Sequence, residues 1–466
     1  MIPIRAHDVV RWSGGRLVQG APDTSFGVVS TDTRGDLSGG LFVALIGAKH
    51  DAHAFLVQAL AGGAAGVLVQ RPEAVPEETR GAVVIAVPDT TLALGALAAG
   101  HRASFAGPVV AITGSNGKTT TKEMCAAILS GLGPCLKNRG NLNNQIGLPL
   151  TLLERDAAHR VLVVEIGMNH RGEIAPLAAI AKPTVGVITN VGTAHIEHLG
   201  SREAIALEKG DLVAALAPEA TAVLNADDPR ALAQRERTRA RVLSFGLSPT
   251  ADVRAERITA LGERGFAFDL VASGTRTAVQ VAGLADSTVP NALAAAAAAL
   301  AAGATLDQIA EGLARYRPIG GRMERVALPR NIILINDTYN ANPQSMQVAL
   351  ESLAKLKGRS RAIAVLGDMG ELGDAALDAH RATGTLVAEL GLDHLFTLGH
   401  FGQPLADAAL RAGMASDRVH VGTTHEEVAS AVCELLQGND WILVKGSRSV
   451  KMERVVEALA ASVEGR

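Results

Sequence analysis

The chain has 466 residues, of which 48% are hydrophobic and 20% are charged, and its formal net charge is −3. This length predicts about two to four domains, and the apolar content excludes a mostly disordered chain. Because only 3% of the residues are aromatic and no dense block of Lys and Arg is present, the composition argues against nucleic-acid binding.

The cysteines and the apolar segments indicate where the protein works. Cys125, Cys135 and Cys433 lack C-x-x-C spacing, so neither a disulfide framework nor a zinc site is predicted, and a reducing cytoplasm fits best. Charged residues interrupt the N-terminal stretch "MIPIRAHDVVRW", which therefore has no signal-peptide core. The alanine-rich run from Ala292 is too short and too weakly apolar to span a bilayer and predicts a buried helix. We expect a cytoplasmic protein without membrane contact.

The apolar runs divide the chain into blocks of α/β character. In residues 1–106, the runs "GLFVALIG", "AGVLVQ" and "AVVIAV" alternate with helical or turn-rich stretches and predict a small α/β domain. In residues 107–316, β-branched runs such as "RVLVVEIG" and "TVGVITNVG" predict a doubly wound parallel sheet with covering helices. Residues 317–466 contain runs such as "RAIAVLGDM" and "WILVKG" and predict a further α/β domain.

The stretch "AITGSNGKTTT" has the features of a phosphate-binding loop. It departs from the pattern G-x-x-x-x-G-K-[ST], because Ile112 stands where the first glycine would be and Gly114 begins a shorter loop. A strand, this loop and a helix starting near Thr119 would point backbone N–H groups at an anion. Lys118 is expected at the β- and γ-phosphates of a nucleotide, and the Thr119 hydroxyl at Mg²⁺. The alternative is a glycine turn without a ligand. The predicted nucleotide-binding residues of the loop are Gly114, Ser115, Asn116, Gly117, Lys118, Thr119 and Thr120.

Three further residues carry chemistry near this loop. Glu165 and His195 follow apolar runs, so both are expected at strand ends that face the loop, where they could hold a metal ion. Taken singly, Glu165 could instead be a capping carboxylate and His195 a structural histidine. Lys209, next to Glu208 and close to Asp211, is from the residues alone a solvated cation on an exposed helix.

The chain resembles the Mur ligases over its whole length. The motifs that carry the resemblance are "TGSNGKTTTKEM", "NRGNLNNQIGLPLTLL", "VVEIGMNHRGEI", "NVGTAHIEHLGS", "NDTYNANPQSM" and "ILVKGSRSVKMERVV", in the order of the family. The resemblance implies a three-domain α/β fold with a central P-loop ATPase domain and a C-terminal Rossmann-like domain. It also implies ATP-dependent synthesis of an amide bond through an acyl phosphate.

The resemblance implies the roles of individual residues as well. The catalytic residues would be Lys118, Glu165, His195 and Lys209, and the ligands of a pair of Mg²⁺ ions would be Thr119, Glu165, His195 and a carbamylated Lys209. An ammonium would be repelled by these ions, whereas a carbamate would be attracted. Further ATP contacts are expected from Asn291, Arg322, Asp337 and Asn340. The family's Gly-x-His-x-x-x-Asn pattern ends at Asn291 but reads "GLADSTVPN" here, without the histidine, which leaves the adenine contacts open.

The expected substrate contacts lie in all three blocks. In the stretch "STDTR", Ser30, Thr31 and Arg34 are expected to bind a uridine diphosphate together with the loop near Gly47, since a guanidinium can hold two pyrophosphate oxygens. A surface loop with a capping Asp is the alternative. The other expected contacts are Asn141 and Asn144 in an asparagine cluster and Lys445, Ser447 and Arg448 after a buried strand. Simple turns are the alternative for these residues.

Within the family, the motifs "NHRGEI" and "NDTYNANPQSM" favour the activity that adds D-alanyl-D-alanine to UDP-N-acetylmuramoyl-tripeptide in peptidoglycan precursor synthesis. One alternative is a relative that adds a single amino acid to the nucleotide-linked peptide, or glutamate to folate. Another is a nucleotide-binding regulatory protein without turnover, although the intact Lys118 and Lys209 favour an enzyme. We expect a monomer, and the third residue of the acceptor peptide, meso-diaminopimelate or L-lysine, stays open.

Overall fold

The chain folds around three large sheets, each built from one continuous stretch of sequence and flanked by helices. The computed structural model describes residues 1–47, 49–76 and 81–464. Each sheet lies between the predicted domain boundaries, and the division into domains itself stays a prediction. Among the described residues, we find no helix with the length and apolar character that a bilayer span requires.

The first block contains a five-stranded sheet in the order β2-β7-β6-β5-β4, in which only β2 is antiparallel to its neighbour. A separate antiparallel pair is formed by β1 and β3. The strands are β1 (Ile4–Arg5), β2 (Arg16–Gln19), β3 (Ser25–Phe26), β4 (Val29–Ser30), β5 (Leu41–Val43), β6 (Gly66–Val69) and β7 (Val83–Ala86). The helices are α1 (Ala6–Ser13), α2 (Leu56–Ala61) and α3 (Thr90–Ala103).

The middle block contains a nine-stranded sheet in the order β16-β15-β14-β13-β12-β11-β8-β10-β9. Its strands are β8 (Val109–Thr113), β9 (Cys135–Lys137), β10 (Val161–Glu165), β11 (Val185–Ile188), β12 (Thr221–Asn225), β13 (Arg241–Gly246), β14 (Val253–Ala260), β15 (Phe266–Ala272) and β16 (Thr275–Val281). Its helices are α4 (Lys118–Leu129), α5 (Gly147–Leu153), α6 (Ile174–Ala181), α7 (Ile196–Leu199), α8 (Arg202–Ala214), α9 (Pro229–Leu232), α10 (Thr288–Ala301) and α11 (Leu306–Arg315).

The sheet of the middle block is parallel from β9 to β14, as the β-branched runs predicted, but it continues with an antiparallel extension. Strands β14, β15 and β16 pair antiparallel. Helix α10 is buried, as predicted: its alanines pack with α4 and the sheet in one apolar cluster. Small side chains allow this close approach of two helices and a sheet.

The third block contains a six-stranded sheet in the order β17-β18-β22-β19-β20-β21, in which only β17 is antiparallel. The strands are β17 (Glu324–Leu328), β18 (Ile332–Asp337), β19 (Ala362–Gly367), β20 (His394–Leu398), β21 (Val419–Gly422) and β22 (Trp441–Lys445). The helices are α12 (Pro343–Leu356), α13 (Ala376–Glu389), α14 (Gly402–Arg411), α15 (His425–Leu435) and α16 (Glu453–Glu464).

The registers of the middle sheet bring several strand ends together. In the parallel pairs, Glu165 of β10 lies beside Ile112 of β8, and Ile188 of β11 lies beside Thr113. The loops that follow these strands therefore leave the sheet at the same edge, where parallel α/β sheets bind their ligands.

Candidate active site

A cavity of about 1250 Å³ lies between the middle and third blocks, at this edge of the middle sheet. Most of the residues predicted to bind ATP, metal or substrate line it. They are Gly114, Ser115, Asn116, Gly117, Lys118, Thr119, Thr120, Asn141, Asn144, Glu165, His195, Lys209, Asn291, Arg322, Asp337, Asn340, Lys445, Ser447 and Arg448. The fold thus brings side chains of the middle and third blocks together around one cavity.

The loop between β8 and α4 requires its glycines. Gly114 has φ 152°, and a Cβ there would lie 1.8 Å from the Thr189 hydroxyl oxygen. Gly117 has φ 78°, and a Cβ there would lie 2.2 Å from Oδ1 of Asn291. Both positions combine a backbone conformation that favours glycine with no room for a side chain. Asn291 therefore packs directly on the loop.

Polar contacts from the chain after β11 hold the loop in place. Asn116 N donates to Asn190 Oδ1 at 2.9 Å, and the Thr189 hydroxyl donates to Asn116 O at 2.6 Å. Gly192 N donates to the Ser115 hydroxyl at 2.8 Å. Hydrogen bonds from the chain itself therefore fix the loop conformation.

Lys118 folds back over this loop. Its Nζ donates to Gly114 O at 2.8 Å and to Ser115 O at 3.4 Å. Burial lowers the pKa of Lys118, the Glu165 carboxylate opposes this shift, and the positive charge of Arg322 adds to it. Two cations from different blocks thus converge on the loop.

Glu165 ends β10 as a buried carboxylate with two side-chain partners. The Thr119 hydroxyl donates to Oε2 at 2.6 Å, and Asn143 Nδ2 donates to Oε1 at 2.8 Å. The pairing of Thr119 with Glu165 brings the two predicted metal ligands together. Asn143 lies in the asparagine cluster, which was the sequence signal for a polar site.

The backbone of Glu165 is clamped by a residue that the sequence analysis did not select. Asn138 Oδ1 accepts from Glu165 N at 2.9 Å, and Asn138 Nδ2 donates to Glu165 O at 3.0 Å. Lys122, which is 0% exposed, donates in turn to Asn138 O at 2.6 Å. Its position in "TTTKEM" on α4 gave no signal that this lysine is buried.

His195 precedes α7 in a left-handed conformation, with φ 62°. Its Nδ1 lies 2.5 Å from Oε2 of Glu371, which belongs to the third block, although the ring N–H is not aligned with the carboxylate. The contact with His195, together with the charges of His198 and His170, lowers the pKa of Glu371. No motif pointed to Glu371, because only the packing of the two blocks creates this contact.

Lys209 lies on α8 and is 1% exposed, so the interpretation as a solvated cation is wrong. The Glu208 carboxylate does not pair with Lys209. It accepts hydrogen bonds from the N–H groups of Gly172, Glu173 and Ile174 at the start of α6. Asp211 is paired with Arg237 at 2.5 Å.

The Lys209 side chain has no acidic partner among the described residues. Within the described parts of the chain, its Nζ makes no hydrogen bond or ion pair, and it faces the cavity. Burial and the charge of Lys118 hold the pKa of Lys209 well below its usual range, against the opposing effect of Glu208.

The third block contributes a second polar cluster. The Arg322 guanidinium lies 3.8 Å above the ring centre of Tyr339, and its buried Nε has no partner among the described residues. Lys445 Nζ donates to Asp337 Oδ2 at 2.5 Å and to Asn340 O at 3.0 Å. Three residues that were predicted for two different ligands thus form one network.

The remaining third-block residues lie at the loop after β22. Ser447 N donates to Asp368 O at 2.8 Å, and the Ser447 and Ser449 hydroxyls lie 3.0 Å apart. Arg448 is exposed and lies 3.2 Å from Glu453. The blocks also touch at the phosphate-binding loop, where Asn342 Nδ2 donates to Asn116 Oδ1 at 2.7 Å.

Of the asparagine cluster, Asn144 accepts from the N–H groups of Ile146 and Gly147 at the start of α5. Asn141 O accepts from Asn143 N at 2.7 Å. The turn interpretation accounts for these contacts, while both side chains also line the cavity.

The predicted contacts of the first block lie elsewhere. In the described ranges, Ser30, Thr31, Arg34 and Gly47 are not part of the cavity lining. Arg34 donates from Nη2 to Asp32 Oδ2 at 2.7 Å, and this guanidinium lowers the pKa of Asp32 to about 2. The structure brings the nucleotide-side residues together and leaves the expected uridine diphosphate residues outside this cavity, at the end of β4 and in the stretch after β5.

The chain matches models of two known domains. Residues 112–299 match the Mur ligase middle domain, and residues 321–448 match the Mur ligase glutamate ligase domain. The chain is 41% identical to the UDP-N-acetylmuramoyl-tripeptide–D-alanyl-D-alanine ligase of Synechocystis, over 93% of this chain and 92% of that protein. It is 38% identical to the Escherichia coli protein of the same name, over 98% of this chain and 99% of that protein.

Solved structures agree with these matches. A crystal structure of MurF from Acinetobacter baumannii superposes with a TM-score of 0.89 and 36% identity, covering 98% of this chain and 99% of that chain. MurF from Thermotoga maritima in complex with ADP gives a TM-score of 0.82 and 28% identity, covering 94% of this chain and 98% of that one. This chain therefore belongs to the Mur ligase family.

Proposed function

We propose that this Mur ligase joins D-alanyl-D-alanine to UDP-N-acetylmuramoyl-tripeptide in peptidoglycan precursor synthesis, forming UDP-N-acetylmuramoyl-pentapeptide, ADP and phosphate. The observation that carries the proposal is the cavity in which Lys118, Glu165 and Lys209 of the middle block face Arg322 of the third. The Synechocystis and Escherichia coli relatives, which are named for this reaction, support it because this chain covers almost their whole length.

ATP would bind at the loop between β8 and α4. The loop is preformed, its Lys118 lies over it, and the start of α4 favours an anion. Arg322 fits the same ligand, because its buried Nε has no hydrogen-bond partner among the described residues and its charge is close enough to lower the pKa of Lys118. The ADP complex of the Thermotoga maritima structure supports a nucleotide here. Asn291, Asp337 and Asn340 line the same cavity and would complete the ATP site.

The polar groups beside the loop fit Mg²⁺. This ion prefers oxygen ligands, keeps several waters and is commonly bound through one or two carboxylates plus substrate phosphates. The described residues contain no dense cluster of three or more His, Cys, Asp or Glu, and such a cluster is not needed for this mode of binding. Thr119 and Glu165 would hold one ion, and His195 and a modified Lys209 a second. Bound Mg²⁺ would neutralise charge on the γ-phosphate and the attacking carboxylate.

Lys209 fits the proposed carbamate. A carbamate forms when the neutral amine attacks CO₂, so that a C–N bond forms and one proton leaves the nitrogen. The lowered pKa of Lys209 makes the neutral amine available, and burial and the charge of Lys118 are sufficient causes of that shift. The product is an anion beside the Lys118 cation, which replaces an unfavourable contact with a favourable one.

Residues of the chain would first assist phosphorylation of the tripeptide carboxylate and then shield the acyl phosphate from water. Lys118 and Arg322 would stabilise the negative charge that develops as the γ-phosphoryl group reaches the tripeptide carboxylate. The D-alanyl-D-alanine amine would then attack the acyl carbon, so that the C–N bond forms, the C–O bond to phosphate breaks and the nitrogen loses one proton. The contact of Asn342 with Asn116 closes the third block over the loop, which would limit access of water to the acyl phosphate.

Two groups of residues are proposed to bind the substrates. Ser30, Thr31, Arg34 and Gly47 are proposed for the uridine diphosphate, where Arg34 would exchange its bond to Asp32 for the pyrophosphate. The other proposed substrate contacts are Asn141, Asn144, Lys445, Ser447 and Arg448. We also propose a cytoplasmic monomer.

A phosphate-release assay tests this function. With ATP, Mg²⁺ and UDP-N-acetylmuramoyl-tripeptide, we expect release only when D-alanyl-D-alanine is added, for a tripeptide with either meso-diaminopimelate or L-lysine. Single amino acids in place of the dipeptide, and folate with glutamate, test the related ligase activities. Release that depends on one of these instead, or ATP binding without any turnover, would overturn the proposal.

A further inference from the structure

One buried histidine makes a hydrogen bond near each end of a loop of the third block, residues 368–376. His380 is 0% exposed, and its Nε2 accepts from Met369 N at 2.9 Å while its Nδ1 faces Ala376 O at 2.6 Å. Because a backbone N–H can only donate and a carbonyl can only accept, the proton must be on Nδ1. A single neutral imidazole therefore ties both ends of this loop together.

The base of the loop is anchored on its other side as well. The Asp368 carboxylate accepts from His400 N at 2.8 Å and from Phe401 N at 2.9 Å, at the start of α14. Asp368 O accepts from Ser447 N, in the cavity-lining stretch after β22. The loop is thus joined by hydrogen bonds to two other parts of the third block.

The tip of the loop reaches the middle block at His195. Gly373 packs on Glu197 of α7, since a Cβ at this glycine would lie 3.4 Å from the Glu197 side chain. Glu371, with φ 60°, directs its carboxylate at the imidazole, where Oε2 lies 2.5 Å from Nδ1 of His195. A carboxylate of one block is therefore delivered to a histidine of the other.

A carboxylate on one imidazole nitrogen has a definite chemical consequence. The carboxylate places the proton on that nitrogen and fixes the orientation of the ring. The other nitrogen then carries a free lone pair, which is more basic and can bind a metal ion. The imperfect alignment of the His195 N–H is in keeping with this role, because such bonds are often poorly aligned before ligands bind and tighten afterwards.

We propose that Glu371 is a positioning residue for His195, and that it makes the metal-binding competence of His195 depend on contact between the third and middle blocks. The inference rests on the proposed function, because it concerns the same site. Glu371 lies outside the loop, strand-end and asparagine motifs, and its contact with His195 gives closure of the blocks a chemical effect at the metal site. A cation would then be held fully only when the nucleotide has drawn the third block in.

The first test measures Mn²⁺ affinity in the presence of a non-hydrolysable ATP analogue, with the full chain. Glu371→Ala should weaken Mn²⁺ binding about 10- to 100-fold, the range found when such supporting partners are removed. The matched control is Asp374→Ala, which removes an exposed carboxylate from the same loop and should leave the affinity unchanged. Thermal unfolding of both variants checks that the fold is kept. Unchanged Mn²⁺ affinity in folded Glu371→Ala would overturn the inference.

A double-mutant cycle tests whether Glu371 acts through His195. In a His195→Gln background, Glu371→Ala should cause no further loss of Mn²⁺ affinity. A full additional loss would mean that Glu371 acts independently of His195, and the positioning role would be abandoned.

A nitrogen NMR experiment gives a readout that a purely structural role would not change. In ¹⁵N-histidine-labelled protein, the signals lost in His195→Gln identify His195, which should carry its proton on Nδ1 in the wild type and lose that preference in Glu371→Ala. An Nε2-protonated His195 in the wild type with nucleotide analogue bound would contradict the proposal. None of these measurements uses D-alanyl-D-alanine, so a failure of the proposed ligase reaction and a failure of this inference are separate results.

Discussion

Asp337 and Lys445 form a buried ion pair at the ends of neighbouring parallel strands. The register of β18 and β22 places the two residues side by side, and Nζ lies 2.5 Å from Oδ2. The side chains are 13% and 1% exposed. Lys445 is proposed as a substrate contact and Asp337 as an ATP contact, and both line the cavity. The ion pair holds the two side chains at the edge of the third sheet that borders the cavity.

Lys445→Met should destabilise the third block strongly, because it leaves Asp337 as a buried carboxylate without its partner. We expect a loss of about 3–5 kcal/mol, measured as a lower urea midpoint in the unfolding of this block. Adding Asp337→Leu should recover much of the loss, since the unpaired charge is then gone. The control is Lys355→Met, which breaks an exposed pair with Asp286 (62% and 61% exposed) and should change stability by less than about 1 kcal/mol. Equal shifts for the two lysine variants would contradict this account.

Lys122→Met should impair catalysis without touching a ligand. The change removes the donor to Asn138 O, and Asn138 clamps the backbone on both sides of Glu165. We expect about 1–3 kcal/mol lower stability from the unsatisfied carbonyl, and a kcat that falls more than KM for ATP rises. Lys122 also forms an ion pair with Glu123, at 3.2 Å, and Lys137 pairs with that carboxylate from an exposed position. Lys137→Met is therefore the matched control. A wild-type kcat in Lys122→Met would show that Glu165 does not need this support.

The nucleotide side of the cavity could be predicted because the relevant residues follow β-branched strands. Once the strands are parallel and adjacent, their ends must meet at one edge, so the loop at Gly114 and the side chain of Glu165 converge. His195 was expected at a strand end, but it lies seven residues beyond β11, from 188 to 195, and just before α7, so the intervening chain also determines its position. The antiparallel strands β14 and β16 were missed because they are partly exposed and alternate polar with apolar residues instead of forming continuous apolar runs.

Contacts that arise only from packing could not be predicted. Glu208 and Asp211 suggested that Lys209 is solvated, but the fold assigns the first to the start of α6 and the second to Arg237. Glu371 is 176 residues from His195 in sequence, counting from 195 to 371, and meets it only because two separately folded sheets come together. Local pattern carries no information about such a pair.

Acid should destabilise the loop that carries Glu371. Burial lowers the pKa of His380 below its ordinary 6.5, against the opposing effects of the Ala376 carbonyl and the Asp368 carboxylate, 3.9 Å away. The unfolded chain therefore binds the proton first as pH falls. The stabilisation is fully present above about pH 6.5 and is lost below it, by up to about 1.4 kcal/mol per pH unit.

His380→Gln isolates this contribution. Urea midpoints between pH 7.5 and 5.0 should fall less steeply for the variant than for the wild type, although the variant starts from a lower value. Other histidines contribute equally to both slopes, so the difference reports His380. Parallel slopes would mean that His380 does not resist protonation in the folded protein.

Lys209→Ala should lose most activity because it removes the proposed carbamate from a site where no other anion replaces it. The expected loss is about 100-fold or more in kcat, equivalent to ~3 kcal/mol, as for other single electrostatic groups. A short carboxylic acid such as acetate should restore part of it, since the metal-binding end of a carbamate is a carboxylate. Lys137→Ala, at an exposed position, is the control and should need no rescue.

The chemistry of the carbamate gives the sharper version of this prediction. Wild-type activity should fall when CO₂ is removed from the buffer and return when bicarbonate is added, and ¹³CO₂ should give a carbamate signal that is absent in Lys209→Ala. The lowered pKa of Lys209 increases the share of neutral amine that can react with CO₂, and protonation competes with CO₂ as pH falls, so the dependence on CO₂ should grow on the acid side. Full activity of Lys209→Ala in CO₂-depleted buffer, or a wild-type enzyme with no ¹³C-labelled carbamate during turnover, would refute the modification.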